Sequence, residues 1–207
     1  MTNIINKVDI DLVESNDIWC SSSAGINPVG FIIGVATQSP VHHAGQILIP
    51  PIMSQALLKG IVEDDFTKEL RKNNVVIIRI DPQLFQDRKE KEKLQGEVRV
   101  KAHSRLGMKY DLRMIWELGW RCGLRMLGLW RIKKVNNLLD QKRTKVVCSV
   151  HVDDCNDPIE KAKNIDLFIA KFHPEYTTPK DILKSPYVVF ITGYKEFYDA
   201  VRKGNKV

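Results

Sequence analysis

The chain has 207 residues, 43% of them apolar and 28% charged, with 32 basic and 25 acidic side chains and a formal net charge of +7. That balance excludes a disordered or collagen-like chain, and no run of about 18 uncharged apolar residues exists to cross a membrane. The size suits one well-buried domain over 1–207, and the modest basic excess admits an anionic partner, such as a membrane surface or cell-wall polymer, without demanding one.

The opening "MTNIINKVDIDLVESND" is polar and acidic, so no signal peptide is expected. "DIWCSS" reads as a short strand. "NPVGFIIGVATQSP" reads as a short apolar helix opened by Asn27-Pro28 and closed by Ser39-Pro40. "HHAGQILIPP" is a strand halted by two prolines, and "IMSQALL" and "GIV" are further short strands separated by a turn. "EDDFTKELRK" predicts a small amphipathic helix with acids in its first turn, where the helix dipole favours them. "NNVVIIRID" is a buried strand.

In "PQLFQDRKEKEKLQGEVRVKAHSRLG", Leu94, Val98, Ala102 and Leu106 recur every fourth residue. This predicts a helix with one apolar stripe and a basic outer face, with Gly107 as C-cap. The stretch from Lys109 to Gln141 is rich in Trp and Arg and reads as helical, interrupted by Gly119, Gly123 and Gly128. "CSVHVDD" continues as a helix or helical turn from Cys148. "TTPKDILKS" is a short helix with Thr178 as N-cap and Pro179 at its first position. "PYVVFITG" is a strand and "YKEFYDAVRKG" a terminal helix. Strands and helices mix irregularly, which favours an α+β fold over a doubly wound sheet. No Gly-rich phosphate loop follows a strand.

The four cysteines, Cys20, Cys122, Cys148 and Cys155, match no small disulfide framework, so free thiols in a reducing, cytoplasmic setting are expected. A thiol acts as a nucleophile only as thiolate, which needs a neighbouring imidazole or a helix N-terminus. Of the five histidines, His43 stands out because it opens a strand. Alternation puts His43, Gly45, Ile47 and Ile49 on one face, and Gly45 leaves space beside the ring for a substrate. Gln55, polar in an apolar run, is the candidate to hold the ring by its other nitrogen. Each feature has a plainer reading: Cys148 as a buried structural thiol, His43 as a satisfied core histidine, Gln55 as a strand-edge cap. A Cys148/His151/Cys155 zinc cluster is a further alternative, though it lacks a fourth ligand and CxxC spacing.

Several motifs then fall in a recognisable order. They are "NDI" (Asn16-Asp17-Ile18), "TQSPVHHAG" ending at His43-Ala44-Gly45, "QALLKGIVEDDFTKEL", Gly107-Met108-Lys109-Tyr110-Asp111, Cys148-Ser149 and "TTPKDIL". In that order they resemble the circularly permuted papain-fold hydrolases of the NlpC-like superfamily, the YiiX type, over roughly residues 14–192. The resemblance implies an α+β permuted papain-like fold, with a small antiparallel sheet packed against helices, a helical insertion over about 112–137 and a C-terminal helix over about 193–203. It implies a cysteine peptidase or amidase with Cys148 as nucleophile, His43 as base and Gln55 as orienting residue. It also puts Tyr110 and Asp17 at substrate-binding positions.

No metal or other cofactor is implied, and the expected partner is a peptide or amide substrate rather than nucleic acid. The expected location is cytoplasmic or virion-associated. This sequence departs from the family in three ways. Gln55 stands where Glu is usual, Glu-Leu is missing after Cys148-Ser149, and about 36 residues separate Asp111 from Cys148. The first two departures suit a relative that binds without catalysing. The Trp/Arg-rich insertion, with Trp116, Trp120, Trp130 and four arginines, has the composition of an interfacial helix.

Overall fold

The computed structural model describes residues 4–23, 40–110, 147–168 and 177–203. The apolar helix expected over 27–39 and the Trp/Arg-rich stretch 112–137 lie outside those residues. A short hairpin of β1 (Ile4–Ile5) and β2 (Val8–Asp9) precedes β3 (Ile18–Ser23). Then come β4 (His43–Ile49), β5 (Ile52–Leu57), β6 (Gly60–Asp65), α1 (Phe66–Lys72), β7 (Asn73–Ile80) and α2 (Arg88–Ser104). The chain continues with α3 (Cys148–Lys163), α4 (Pro179–Lys184), β8 (Val188–Gly193) and α5 (Lys195–Lys203). Six strands form one antiparallel sheet in the order β6-β5-β4-β3-β7-β8. The fold is α+β.

Both faces of the sheet are covered. One carries Ile18, Cys20, Ala44, Leu48, Val76 and Ile78 against apolar residues of α2, α3, α4 and α5. The other carries Trp19, Ile47, Met53, Val75 and Ile77 against Phe66 and Leu70 of α1. Two-sided burial explains why the central strands read as unbroken apolar runs rather than alternating ones. Each fully buried aliphatic side chain contributes about 1.5–3 kcal/mol.

Local chemistry sets most element ends. β4 stops before Pro50-Pro51, as the sequence predicts. A register shift between Ile47 and Ile49 breaks the alternation, so Ile49 does not join the covered face of His43, Gly45 and Ile47 but is 59% exposed. The acids expected in the first turn of α1 belong instead to β6, where Asp65 N-caps the helix by accepting from the Thr67 N–H at 2.8 Å. In α2, Leu94, Val98 and Ala102 are buried, but Leu106 lies past the helix end and is exposed. The helix is capped at Arg105 rather than Gly107. Gly107 takes φ +79° just beyond it, and this turn lets the chain exchange Gly107 N–H to Ile61 O and Ile61 N–H to Met108 O along β6. The "TTPKDIL" motif is a capping box, with Thr178 and Asp181 bonding each other's backbone and Pro179 opening α4.

Asp17 lies at the foot of β3, wholly buried. The Arg79 guanidinium donates to both its carboxylate oxygens, at 2.7 and 2.9 Å, and the Glu14 N–H donates at 2.8 Å. Burial nevertheless pushes the Asp17 carboxyl above its ordinary pKa, because desolvation outweighs the guanidinium beside it. Among the described residues, no helix is long and apolar enough to cross a membrane. Replacing Arg79 by Met strands the Asp17 charge and is expected to cost about 3–5 kcal/mol at neutral pH, read as a lowered urea midpoint.

Candidate active site

β4 and β5 are paired from Ile49↔Ile52 up to Gly45↔Gln55, and the ladder ends there. On its other edge β4 stays paired with β3 as far as Ser21↔His43. One edge of β4 is therefore open at residues 42–44, and α3 begins against that opening. Val147, the N-cap of α3, offers no side-chain acceptor, and Cys148 is the first helical residue. The first-turn N–H groups of such a helix carry partial positive charge.

The Cys148 sulfur meets β4 directly. It lies 3.9 Å from the His42 carbonyl oxygen and takes hydrogen bonds from the backbone N–H groups of Ala44 and Ser149. It is also hydrogen-bonded to the His43 side chain. The opposite side of that ring is held by Gln55, whose Oε1 is 2.9 Å from His43 Nε2. With the ring proton on Nε2 donated to the Gln55 oxygen, Nδ1 faces the sulfur. Three residues far apart in the chain thus form one hydrogen-bonded row of thiol, imidazole and amide.

Burial opposes charge on both reacting groups, yet each favours ionisation of the other. For Cys148, desolvation is the largest influence and raises the pKa. The His43 charge and hydrogen bond, with the Ala44 and Ser149 N–H groups, overcome it and bring the thiol below its ordinary value. For His43, desolvation lowers the pKa. The Cys148 thiolate, the Gln55 amide and the more distant Glu69 carboxylate outweigh it and lift the imidazole to about 9. Each group thus shifts toward its charged form in the presence of the other. The other described cysteines lack this company: burial pushes Cys155 up to about 12 and raises Cys20 as well.

The walls are specific. Trp19 is fully buried and meets the His43 ring edge-on, with centroids 5.0 Å apart and planes at 76°. It occupies the space above Gly45 that the sequence assigns to a substrate. A Cβ on Gly45 would fall 2.6 Å from Trp19 Nε1. The glycine therefore admits the indole, which in turn fixes the imidazole. Tyr110 packs with Cys148, Val147, Ala56 and Ile61 on the other side of the sulfur. Asp17 is not part of the group. It sits four residues down β3 from Ser21, about 13 Å at strand rise, with its carboxylate already engaged by Arg79.

Sequence reading missed Trp19 and Glu69. Alternation in "DIWCSS" puts Trp19 and Ser21 on one face, but only strand pairing brings that face beside His43. Two buried polar atoms here have no hydrogen-bond partner, Trp19 Nε1 and Ser21 Oγ. The Cys148/His151/Cys155 metal cluster does not assemble. Cys148 turns to His43, while His151 turns to Ser54 and Cys155. Among the described residues no three His, Cys, Asp or Glu side chains converge as metal ligands.

No protein-family model matches the chain, and no curated protein matches it. Among solved structures, the chain is similar to the metalloprotein YiiX from Escherichia coli O157:H7, a DUF1105 protein. The two share 14% identity with a TM-score of 0.58, over 87% of this chain and 97% of that one. The likeness is one of fold, and it agrees with the YiiX-type α+β architecture that the ordered motifs imply.

Gly45→Ala is expected to push the Trp19 ring off its seat and cost about 1–3 kcal/mol. Urea unfolding followed by Trp fluorescence measures this.

Proposed function

We propose that this protein is a cysteine hydrolase acting on an amide or peptide bond, with Cys148 as nucleophile, His43 as acid and base, and Gln55 as the residue that orients the ring. The observation that carries the reading is the row itself: Gln55 Oε1 2.9 Å from His43 Nε2, and the same ring hydrogen-bonded to Cys148 at a helix N-terminus. A structural thiol needs neither a lowered pKa nor an imidazole partner. The permuted papain-like motif order points to the same roles.

In the proposed reaction, the Cys148 thiolate attacks the carbonyl carbon and a C–S bond forms. Backbone N–H groups at the start of α3 are placed to stabilise the oxyanion. The intermediate collapses, the C–N bond breaks, and His43 gives its proton to the departing amine. Water then adds to the thioacyl carbon while neutral His43 takes its proton. The C–S bond breaks, releasing the acid and restoring the thiolate–imidazolium pair. Gln55 holds the tautomer but adds no negative charge, so the thiolate is the main counter-charge of the imidazolium. YiiX is described as a metalloprotein. The described residues offer no matching donor set, since the group beside Cys148 and His43 is the Gln55 amide rather than a carboxylate, and no step is routed through a metal.

A second reading is favoured by one observation: Cys148 is only 2% exposed, whereas His43 is half-buried. A catalytically silent binding protein of the same fold would keep the row and leave the sulfur covered. An acyl-directed thiol hydrolase or acyltransferase at an anionic membrane surface would use the same nucleophile on a different carbonyl.

Alkylation by iodoacetamide, mapped to Cys148 by peptide mass spectrometry, separates these. An ordinary thiol near pKa 8.5 loses about tenfold in rate per unit as pH falls below that value. The lowered Cys148 pKa predicts a rate that falls less steeply from pH 8 to 7 than that of a small-molecule thiol and exceeds it at pH 7. His43→Ala removes the cation, raises the thiol pKa and abolishes the advantage. A Cys148 that reacts no faster than the small thiol sinks the hydrolase reading and leaves the binding protein.

A further inference from the structure

Cys148 and Gln55 reach the same imidazole from different elements, α3 and β5. Gln55 is the last residue of β5 paired with β4, opposite Gly45, so the ladder ends at the residue that must reach His43 and does not itself bond to the helix. Ala56 packs with Val147 and Cys148, and one buried hydrogen bond bridges the two elements as well. Ser54 Oγ lies 2.9 Å from His151 Nε2, and both residues are fully buried. Ser54 immediately precedes Gln55, and His151 is one helical turn after Cys148. The bond therefore joins the two elements next to both partners of His43.

The ring is neutral. Burial, then the charges of Arg105 and His43, hold His151 down at about 3. With its proton on Nδ1, which lies 3.7 Å from the Cys155 sulfur, Nε2 accepts the Ser54 O–H. A histidine in the first turn of an active-site helix invites a role as metal ligand or second base. Full burial, with its two nitrogens already engaged by Ser54 and Cys155, leaves it a hydrogen bond between strand and helix.

We propose that Ser54 and His151 are positioning residues: their hydrogen bond holds β5 against the first turn of α3, so that Gln55 reaches His43 Nε2 while Cys148 stays against the same ring. The inference rests on the hydrolase reading of the row and extends it to two residues that touch none of the reacting atoms. Gln46 and Asn156 make a second such tie, with Asn156 Nδ2 donating to Gln46 Oε1 at 3.0 Å. That tie joins α3 to β4, on which His43 already sits, and leaves β5 to the Ser54–His151 bond.

The test pairs thiol chemistry with stability. Exchanging both partners of a buried hydrogen bond for apolar groups is close to neutral for folding. The double variant Ser54→Ala/His151→Leu is therefore expected to keep its urea midpoint. Its Cys148 alkylation pKa is expected to rise by about one unit, with the neutral-pH rate falling about tenfold. His151→Gln, which retains a group able to bond Ser54, recovers most of that loss. Should the double variant fail to fold, Ser54→Ala alone carries the same expectation. An unchanged alkylation profile in the variant beside an activated wild-type thiol overturns the positioning role and leaves the hydrolase reading standing. A wild-type Cys148 with an ordinary profile overturns both.

Discussion

An imidazole shared between a sulfur and an amide is the contact on which the rest of this molecule depends. His43 can serve both partners only because β5 leaves β4 after Gly45↔Gln55, opening one edge of β4 to the first turn of α3. Closed pairing would occupy the Ala44 N–H and the His42 carbonyl with strand partners, and the sulfur would have no place beside the ring. Within the opening, desolvation penalises both charges, so neither would form alone. Each is favoured by the other. The neutral amide at position 55 tightens that dependence: it aligns the ring but leaves the thiolate as the nearby negative charge, with Glu69 contributing from farther away.

The fold around the row is built to keep one helix in register with two strands. α3 is tied to β4 through Asn156 and Gln46, and to β5 through His151 and Ser54. The Ser149 hydroxyl, next to Cys148, donates to the Thr177 carbonyl at 2.6 Å, just ahead of the capping box of α4. Buried polar ties of this kind contribute only about 1 kcal/mol each, but leaving one partner unsatisfied costs about 1–3 kcal/mol, so they select one arrangement over near alternatives. Trp19 Nε1 and Ser21 Oγ, beside His43, have no protein partner among the described residues. The sheet, covered on both faces, supplies the rigidity that such a site needs.

Access distinguishes the chemical readings more than geometry does. Cys148 is buried in a cluster with Tyr110, Val147 and Ala56, whereas His43 is partly buried. The reactivity of a thiol so enclosed depends on access as well as on its pKa, which makes that reactivity an informative property of the protein.

Much of the fold was legible in the chain. An apolar run marked β7, Pro50-Pro51 marked the end of β4, and Thr178-Pro179 marked a helix start, because these are local preferences of backbone and side chain. The ordered motifs brought Cys148, His43 and Gln55 forward as candidates. Local signals failed where pairing decides. A register shift turned Ile49 to solvent, the cap of α2 fell at Arg105, and Asp17 was claimed by an arginine 62 residues away. The space beside Gly45 proved to be the seat of an indole from the neighbouring strand. Residue types and their spacing determine which groups can ionise, bond or cap. Which of them meet is decided by strand register and by where a ladder ends, and those depend on contacts between distant segments that no local stretch of chain encodes.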